Sequence, residues 1–474
     1  MANDPFRLGG RFRRAATPAR LLSKGAAAAA IAQARALRGD RVEDIAADPK
    51  LQAAAEEIAR ELGEMKGAAM KVGQALSFLD VSLIPEEYRS AFSILQSDAP
   101  AMPYESVVEV VTHELGAHPD ELFDFFSPVP MAAASIGQVH SAHLGDHELV
   151  VKVQYPGVAK AVEADLRNAA LLSAVGRLGQ KMLAGLVGDV DVRAIIDEVR
   201  DRVSEELDYR IEARNQADFV ELFRDDPGVD IPEVWGEYST ERVLTSTYVD
   251  AMRWTAALEA PQHQRDQWGR VIARFYATSA YDHGIVNVDS HPGNFLFHED
   301  GTVTFLDFGC VARIDEAQRQ RLRRLAAALM SGDEDAILDS FVEAGFLRRR
   351  DGFDAQALLE PLSNWMRGTR GPQPFTYSRE MLADIIAESM RLRVGVDELK
   401  LLQRLDVPRE HVLLGRMSVG FEAILAHLEA TIDFREIYAN HLSGILEVDP
   451  VWPERADGSD DSGRSDGEAE TGIA

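Results

Sequence analysis

The chain has 474 residues, 46% hydrophobic and 27% charged, which are the values of an ordinary folded protein and exclude a wholly disordered, collagen-like or coiled-coil chain. Its 50 basic side chains against 78 acidic ones leave a formal charge of −28, which argues against nucleic acid as a partner, since gripping a phosphate backbone takes positive charge. One cysteine, Cys310, excludes an intramolecular disulfide and a cysteine-rich zinc site and points to a reducing compartment, read here as the cytoplasm.

Residues 1–41 carry nine basic side chains against two acids, Asp4 and Asp40, so the sign is reversed locally. With Phe6, Leu8, Phe12, Leu21 and Leu22 among the arginines, this stretch reads either as a solvated flexible arm or as a weak amphipathic helix on an anionic leaflet. Its many alanines favour the arm. Residues 42–79 have apolar positions at helical spacing, broken near Gly63 or Gly67, and a further helix over 105–115 is introduced by Pro103. Residues 131–144 and 148–154 read as two strands joined by a turn, the second ended by Pro156 and Gly157. Helical patterns return over 158–186 and 192–223, then short strands over 228–234 and 242–248. From Trp254 to about Leu446 the pattern is helical apart from a hairpin over 294–310, and no internal repeat is visible. Residues 454–474 are acidic without apolar periodicity, as in a disordered tail. No window reaches the ~18–20 consecutive apolar residues of a membrane-spanning helix, and the first residues lack the apolar core of a secretory signal. The expected order is therefore a small sheet-bearing lobe, a hinge at 248–251 and a larger helical lobe.

Four motifs belong to one kind of chemistry. Lys152 stands among Val150, Val151 and Val153 on a strand, where an ammonium needs anionic partners unless it reaches water at a sheet edge. Asp289-Ser290-His291-Pro292-Gly293-Asn294 is followed by a hairpin and by Asp307-Phe308-Gly309. That is the layout of a phosphotransfer loop, in which one Asp orients the accepting hydroxyl or water while Asn and the second Asp hold Mg2+ through hard oxygens. An acidic run from Glu205 to Glu212, with Glu206 and Asp208 inside it, reads either as the source of a glutamate for Lys152 or as a solvated helix face. Ala132, Ala133, Ala134, Ser135, Ile136, Gly137 and Gln138 stand one strand before Lys152, where a kinase has its Gly-rich phosphate-covering turn. Alanines there restrict positive φ and stiffen the loop. Cys310 reads as a small buried hydrophobe, and the twelve histidines form no metal-ligand set.

In this order the motifs resemble the UbiB family of atypical protein-kinase-like proteins, also called the aarF or ADCK group and linked to isoprenoid quinone biosynthesis. The match rests on Lys71-Val72-Gly73-Gln74, similar to the family's K-x-G-Q signature, on the Ala-rich loop, on Lys152, on Glu206 and Asp208 as an E-x-D pair, and on Asp289, Asn294 and Asp307. The resemblance implies an α+β, bilobal protein-kinase-like fold: a basic arm (1–41), a helical extension with the K-x-G-Q motif (42–118), an N-lobe with an antiparallel sheet (119–248), a largely helical C-lobe (249–453) and an acidic tail (454–474). It implies ATP or ADP with Mg2+ as ligands, Asp289 as catalytic aspartate, Asn294 and Asp307 as metal ligands, Lys152 on the phosphates and Glu206 orienting Lys152. Lys71, Gln74 and Asp208 would face the nucleotide, with the K-x-G-Q helix over the place where a protein kinase receives peptide. The implied activity is ATP hydrolysis or phosphorylation of a small or lipid-like molecule. The implied partners are a quinone precursor, quinone-biosynthesis proteins and a membrane surface touched peripherally. Two rivals stay open: a protein Ser/Thr kinase, and a nucleotide-responsive scaffold or lipid chaperone with little turnover. The chain departs from the family's H-A-D-P-H-P-G-N at Asn287 and Ser290, and Asn287 cannot titrate near neutrality.

Overall fold

The computed structural model describes residues 102–134, 136–158, 207–331, 333–347, 368, 372–381, 409–442 and 445. The basic arm, Lys71, Gln74, Ser135, Glu206 and the acidic tail lie outside them.

The first part is a sheet with a helix against one face. Helix α1 (Tyr104–Leu115) follows Pro103, whose fixed φ suits a helix entrance, and ends at Gly116 in the left-handed region. Strands β1 (Phe125–Phe126), β2 (Ala132–Ala134), β3 (Gly137–Leu144) and β4 (His147–Gln154) come next. Along β4 the side chains alternate: Leu149, Val151 and Val153 are fully buried with Val107, Val110 and Val111 of α1, while Lys152 faces the other side. The strand expected over 131–144 is two strands, because the chain reverses between Ala134 and Gly137, which are paired across the turn. Gly137 has to be glycine here: a Cβ would stand 2.2 Å from the Val153 carbonyl oxygen.

Helix α2 (Tyr209–Leu222) is capped by Asp208, whose carboxylate accepts from the Arg210 amide. The described helix thus begins at Tyr209, and the acidic run does not lie on one continuous helix, because Leu207 and Asp208 are not helical. Its buried stripe is Tyr209, Glu212, Gln216 and Phe219, at the spacing of one helical face. Tyr209 packs with Ile136, Val158 and Leu244, whereas Phe219 belongs to the larger core further along the chain. One helix therefore joins the two.

Strand β5 (Val229–Asp230) precedes β6 (Val243–Thr247), which pairs antiparallel with β4 and completes a five-stranded sheet of order β1-β3-β4-β6 with β2 on β3. Helix α3 (Gln262–Ala277) then runs through the larger core, where Trp268, Ile272 and Phe275 have essentially no exposure. Strands β7 (Ile285–Asn287), β8 (Phe295–Phe297), β9 (Val303–Phe305) and β10 (Val311–Arg313) form two small sheets: β7 with β10, and β8 with β9, the latter also pairing in parallel with β5. Helices α4 (Glu316–Ser331), α5 (Glu334–Glu343), α6 (Arg409–Leu428) and α7 (Phe434–His441) follow, α6 and α7 packing on α3, and a short antiparallel pair, Phe375–Thr376 with Thr431–Ile432, lies among them. No helix among the described residues is long and apolar enough to cross a membrane.

Candidate active site

Lys152 is placed by β4 with its ammonium over the stripe of α2. Nζ lies 2.9 Å from Glu212 Oε1 and 2.8 Å from Oε2, 4.9 Å from the centre of the Tyr209 ring, and 3.9 Å from Asp307 Oδ2. Burial works against the ammonium, but the Glu212 and Asp307 carboxylates outweigh it and hold its pKa above the ordinary lysine value. Burial likewise raises the Tyr209 phenol, despite the nearby positive charge, so that it keeps its proton.

Among the described residues the glutamate on Lys152 is Glu212, and Glu206, expected to orient the lysine, lies outside them. Glu212 is in reach because of where the helix starts. Asp208 caps it, so its first turn, from Tyr209 to Glu212, is the part that faces β4. Asp208 itself is tied up locally: both its oxygens accept from Arg210, at 2.8 Å each, and its pKa is lowered chiefly by that hydrogen bond.

Asp289, Asn294 and Asp307 are brought together by the β7–β10 and β8–β9 pairings. Asn287 Nδ2 donates to the Asp307 carbonyl oxygen at 2.6 Å, and its Oδ1 accepts from the Asp289 amide at 3.1 Å. The residue that departs from the family pattern therefore bridges the Asp289 and Asp307 segments by hydrogen bonds. The Asn294 carbonyl accepts from the Leu306 amide at 3.0 Å, setting Asn294 beside the residue before Asp307, and its side chain donates to the Asp289 carbonyl at 3.4 Å. Asp307 Oδ1 accepts from the Gly309 amide at 2.9 Å, while the carboxylate stays partly exposed. Ser290 is buried against α6, where a Cβ on Gly420 would meet its hydroxyl, and donates to the Met417 carbonyl. His291 accepts from the Gly293 amide through Nδ1 and so shapes the loop.

Among the described residues no three His, Cys, Asp or Glu side chains form a metal cluster. A magnesium site needs only one or two protein oxygens beside the nucleotide's phosphates, and Asn294 with Asp307 fits that requirement. Of the Ala-rich segment, Ala132 and Ala133 are exposed on β2. Ile136 is buried beside Tyr209. The Gln138 side chain is buried, with Oε1 accepting from the Met102 amide at 2.9 Å and Nε2 at 2.9 Å from His140 Nε2.

Contacts that the motif reading did not foresee join α2 to the Asp307 segment. Phe308 has no exposure and packs on Phe219 of α2 with ring centres 4.8 Å apart. Asn215, also on α2, donates to the Phe308 carbonyl at 3.0 Å. The signal for Glu212 was the apolar stripe through Tyr209 and Phe219, into which it falls at helical spacing.

A family model, the ABC1 atypical kinase-like domain, matches residues 94–341, more than half of the chain. The chain belongs to the ABC1 family of atypical kinase-like proteins. It is 30% identical to the mitochondrial atypical kinase COQ8 of Saccharomyces cerevisiae over 81% of this chain and 75% of that protein. It is 34% identical to the chloroplastic Activity of BC1 complex kinase 8 of Arabidopsis thaliana over 59% of this chain, but spans only 37% of that protein's length. Among solved structures, the complex of Rv3197 with erythromycin from Mycobacterium tuberculosis aligns with a TM-score of 0.61 at 30% identity, covering 84% of this chain and 98% of that one. The ABC1 family accounts for the mixed helix and sheet composition with its antiparallel sheets.

Proposed function

We propose that this protein binds ATP with Mg2+ in a bilobal kinase-like cleft and acts as an ATPase or as a kinase of a small or lipid-like molecule in isoprenoid quinone biosynthesis. The observation that carries this reading is the Lys152 clasp: an ammonium held by both oxygens of Glu212 and 3.9 Å from Asp307. A charge so placed has a fixed direction and a fixed protonation state, which is what a phosphate contact requires. In this reading Lys152 binds the nucleotide's phosphates, with Glu212 preventing its side chain from swinging away. Asn294 and Asp307 would hold Mg2+, which when bound neutralises charge on the phosphates. Asp289 orients the accepting hydroxyl or water, its backbone fixed through Asn287. The Ala-rich hairpin, with Gly137 against Val153, forms a stiff cover over the phosphates. Peripheral contact with a membrane surface and with quinone-biosynthesis proteins, on the cytoplasmic side, belongs to the same reading.

The test is Mg2+-dependent ADP release by the purified protein, with and without anionic liposomes carrying a quinone-precursor mimic, beside an Asp307→Asn control. Turnover that rises with the liposomes and vanishes in the control is the expected result. Nucleotide binding with no turnover under any condition replaces this reading by the scaffold one, and transfer to added peptides replaces it by a protein kinase.

A further inference from the structure

Asn215 is a buried amide on α2, one helical turn beyond Glu212, and both ends of that amide are committed. Nδ2 donates to the Phe308 carbonyl at 3.0 Å. Oδ1 accepts from Nη2 of Arg313 on β10 at 2.9 Å, and the same nitrogen donates to Asp218 Oδ2 at 2.6 Å. An amide can be turned over, exchanging its donor and acceptor ends. Here the guanidinium decides the matter: the reversed amide would set two donors against each other at Arg313 and two oxygens against each other at Phe308. Arg313 therefore fixes which end of Asn215 meets the Phe308 carbonyl, and Asp218, on the same helix face, holds Arg313 in place.

The Phe308 carbonyl lies one residue past Asp307. From the other side, the Asp307 carbonyl accepts from Asn287. The two consecutive peptide carbonyls behind the Asp307 carboxylate are thus each held by a buried asparagine, one from the loop of Asp289 and one from the helix of Glu212. We infer that Asn215 and Arg313 are positioning residues that set the Asp307 carboxylate for its task, with Asp218 as their outer anchor. This rests on the nucleotide reading above only for what Asp307 binds. The holding of the Phe308 segment stands apart from it. Arg313 and Asp218 are each about half exposed. They also line a groove of about 500 Å³ beside α2 with Ile211, Arg214, Asn215 and Ala217, so water reaches Arg313 and Asp218 freely while Asn215 is largely buried in the groove's wall.

Two measurements test it. The first is hydrogen exchange of the peptide spanning 304–312 in the protein without nucleotide, comparing wild type with Asn215→Asp. Aspartate keeps the volume and the partner for Arg313 but presents an oxygen to the Phe308 carbonyl, so a merely structural tether survives while the positioning bond is lost. The second is the dissociation constant of a fluorescent ADP analogue with Mg2+ and with EDTA. The expected results are faster exchange over 304–312, and a loss of about ten-fold in the Mg2+-dependent part of the affinity with the EDTA value unchanged. Arg313→Gln, at a half-exposed site that tolerates change, shows the same two effects to a smaller degree and serves if Asn215→Asp does not fold. Wild-type exchange in both variants overturns the inference, as does an unchanged Mg2+-dependent affinity. A wild-type protein without any Mg2+-dependent nucleotide binding overturns the nucleotide reading instead, and the exchange comparison still decides the latch.

Discussion

Lys152 keeps its charge in a largely enclosed place because two carboxylates share it, and the stronger partner is Glu212, 60 residues away along the chain. Removing that partner leaves an enclosed ammonium with the Tyr209 ring and the more distant Asp307 as its neighbours among the described residues. Glu212→Ala is therefore expected to cost about 2–4 kcal/mol in chemical denaturation, with Glu212→Gln costing less because it retains a hydrogen bond. An unchanged midpoint in both variants would mean that water already solvates Lys152. At this scale the meeting of the Asp289, Asn294 and Asp307 segments was legible because their spacing is local and the hairpin between them is short. Glu212 was not, because choosing among the acids between Glu205 and Glu212 requires knowing that Asp208 is a cap and not a helical residue. Asn287 was visible as a departure, but its double role depends on a carbonyl 20 residues away that no local pattern announces.

The elements with the strongest local signals, the helix after Pro103 and the strand of Lys152, follow the sequence closely. The Ala-rich stretch does not, because alanines carry little preference between strand and turn, and the reversal before Gly137 is fixed by how close β4 comes. That closeness makes a prediction about the hairpin as a unit. Gly137→Ala places a methyl group 2.2 Å from the Val153 carbonyl oxygen, which belongs to the residue after Lys152. One of the two strands must shift, and overpacking of this kind costs about 1–3 kcal/mol. The expected outcome is a lowered melting temperature together with weaker nucleotide binding, read by thermal shift with and without MgATP. Loss of stability with binding intact would show that the hairpin moves independently of Lys152.

Across the whole molecule, the order of a sheet-bearing part followed by a helical part was readable from the change of periodicity, whereas the joining of the two by α2 was not, since Tyr209 and Phe219 look alike as buried aromatics. The larger core also holds a carboxyl that no motif marked. Glu422 on α6 is buried, and burial raises its pKa to about 8. Unfolded glutamate titrates near 4.3, so at pH values between these two the folded chain keeps a proton that the unfolded chain has released. Its contribution to stability therefore falls as pH rises through that window, by up to about 1.4 kcal/mol per unit, and is level above it. Glu422→Gln should remove this part of the pH dependence and raise the melting temperature most at pH 8. Equal slopes in both proteins would show that the carboxyl is ionised in the fold. The span of α2 between the two cores also bears on synthesis of the chain. Phe219 and Phe223 pack against Phe275, and Phe219 against Phe308, up to 89 residues downstream. A nascent chain halted before residue 275 would already contain Lys152 and Glu212, yet would present that aromatic face bare at the ribosome's exit. The aromatic face of this helix is thus covered only after the residues downstream of it have been made.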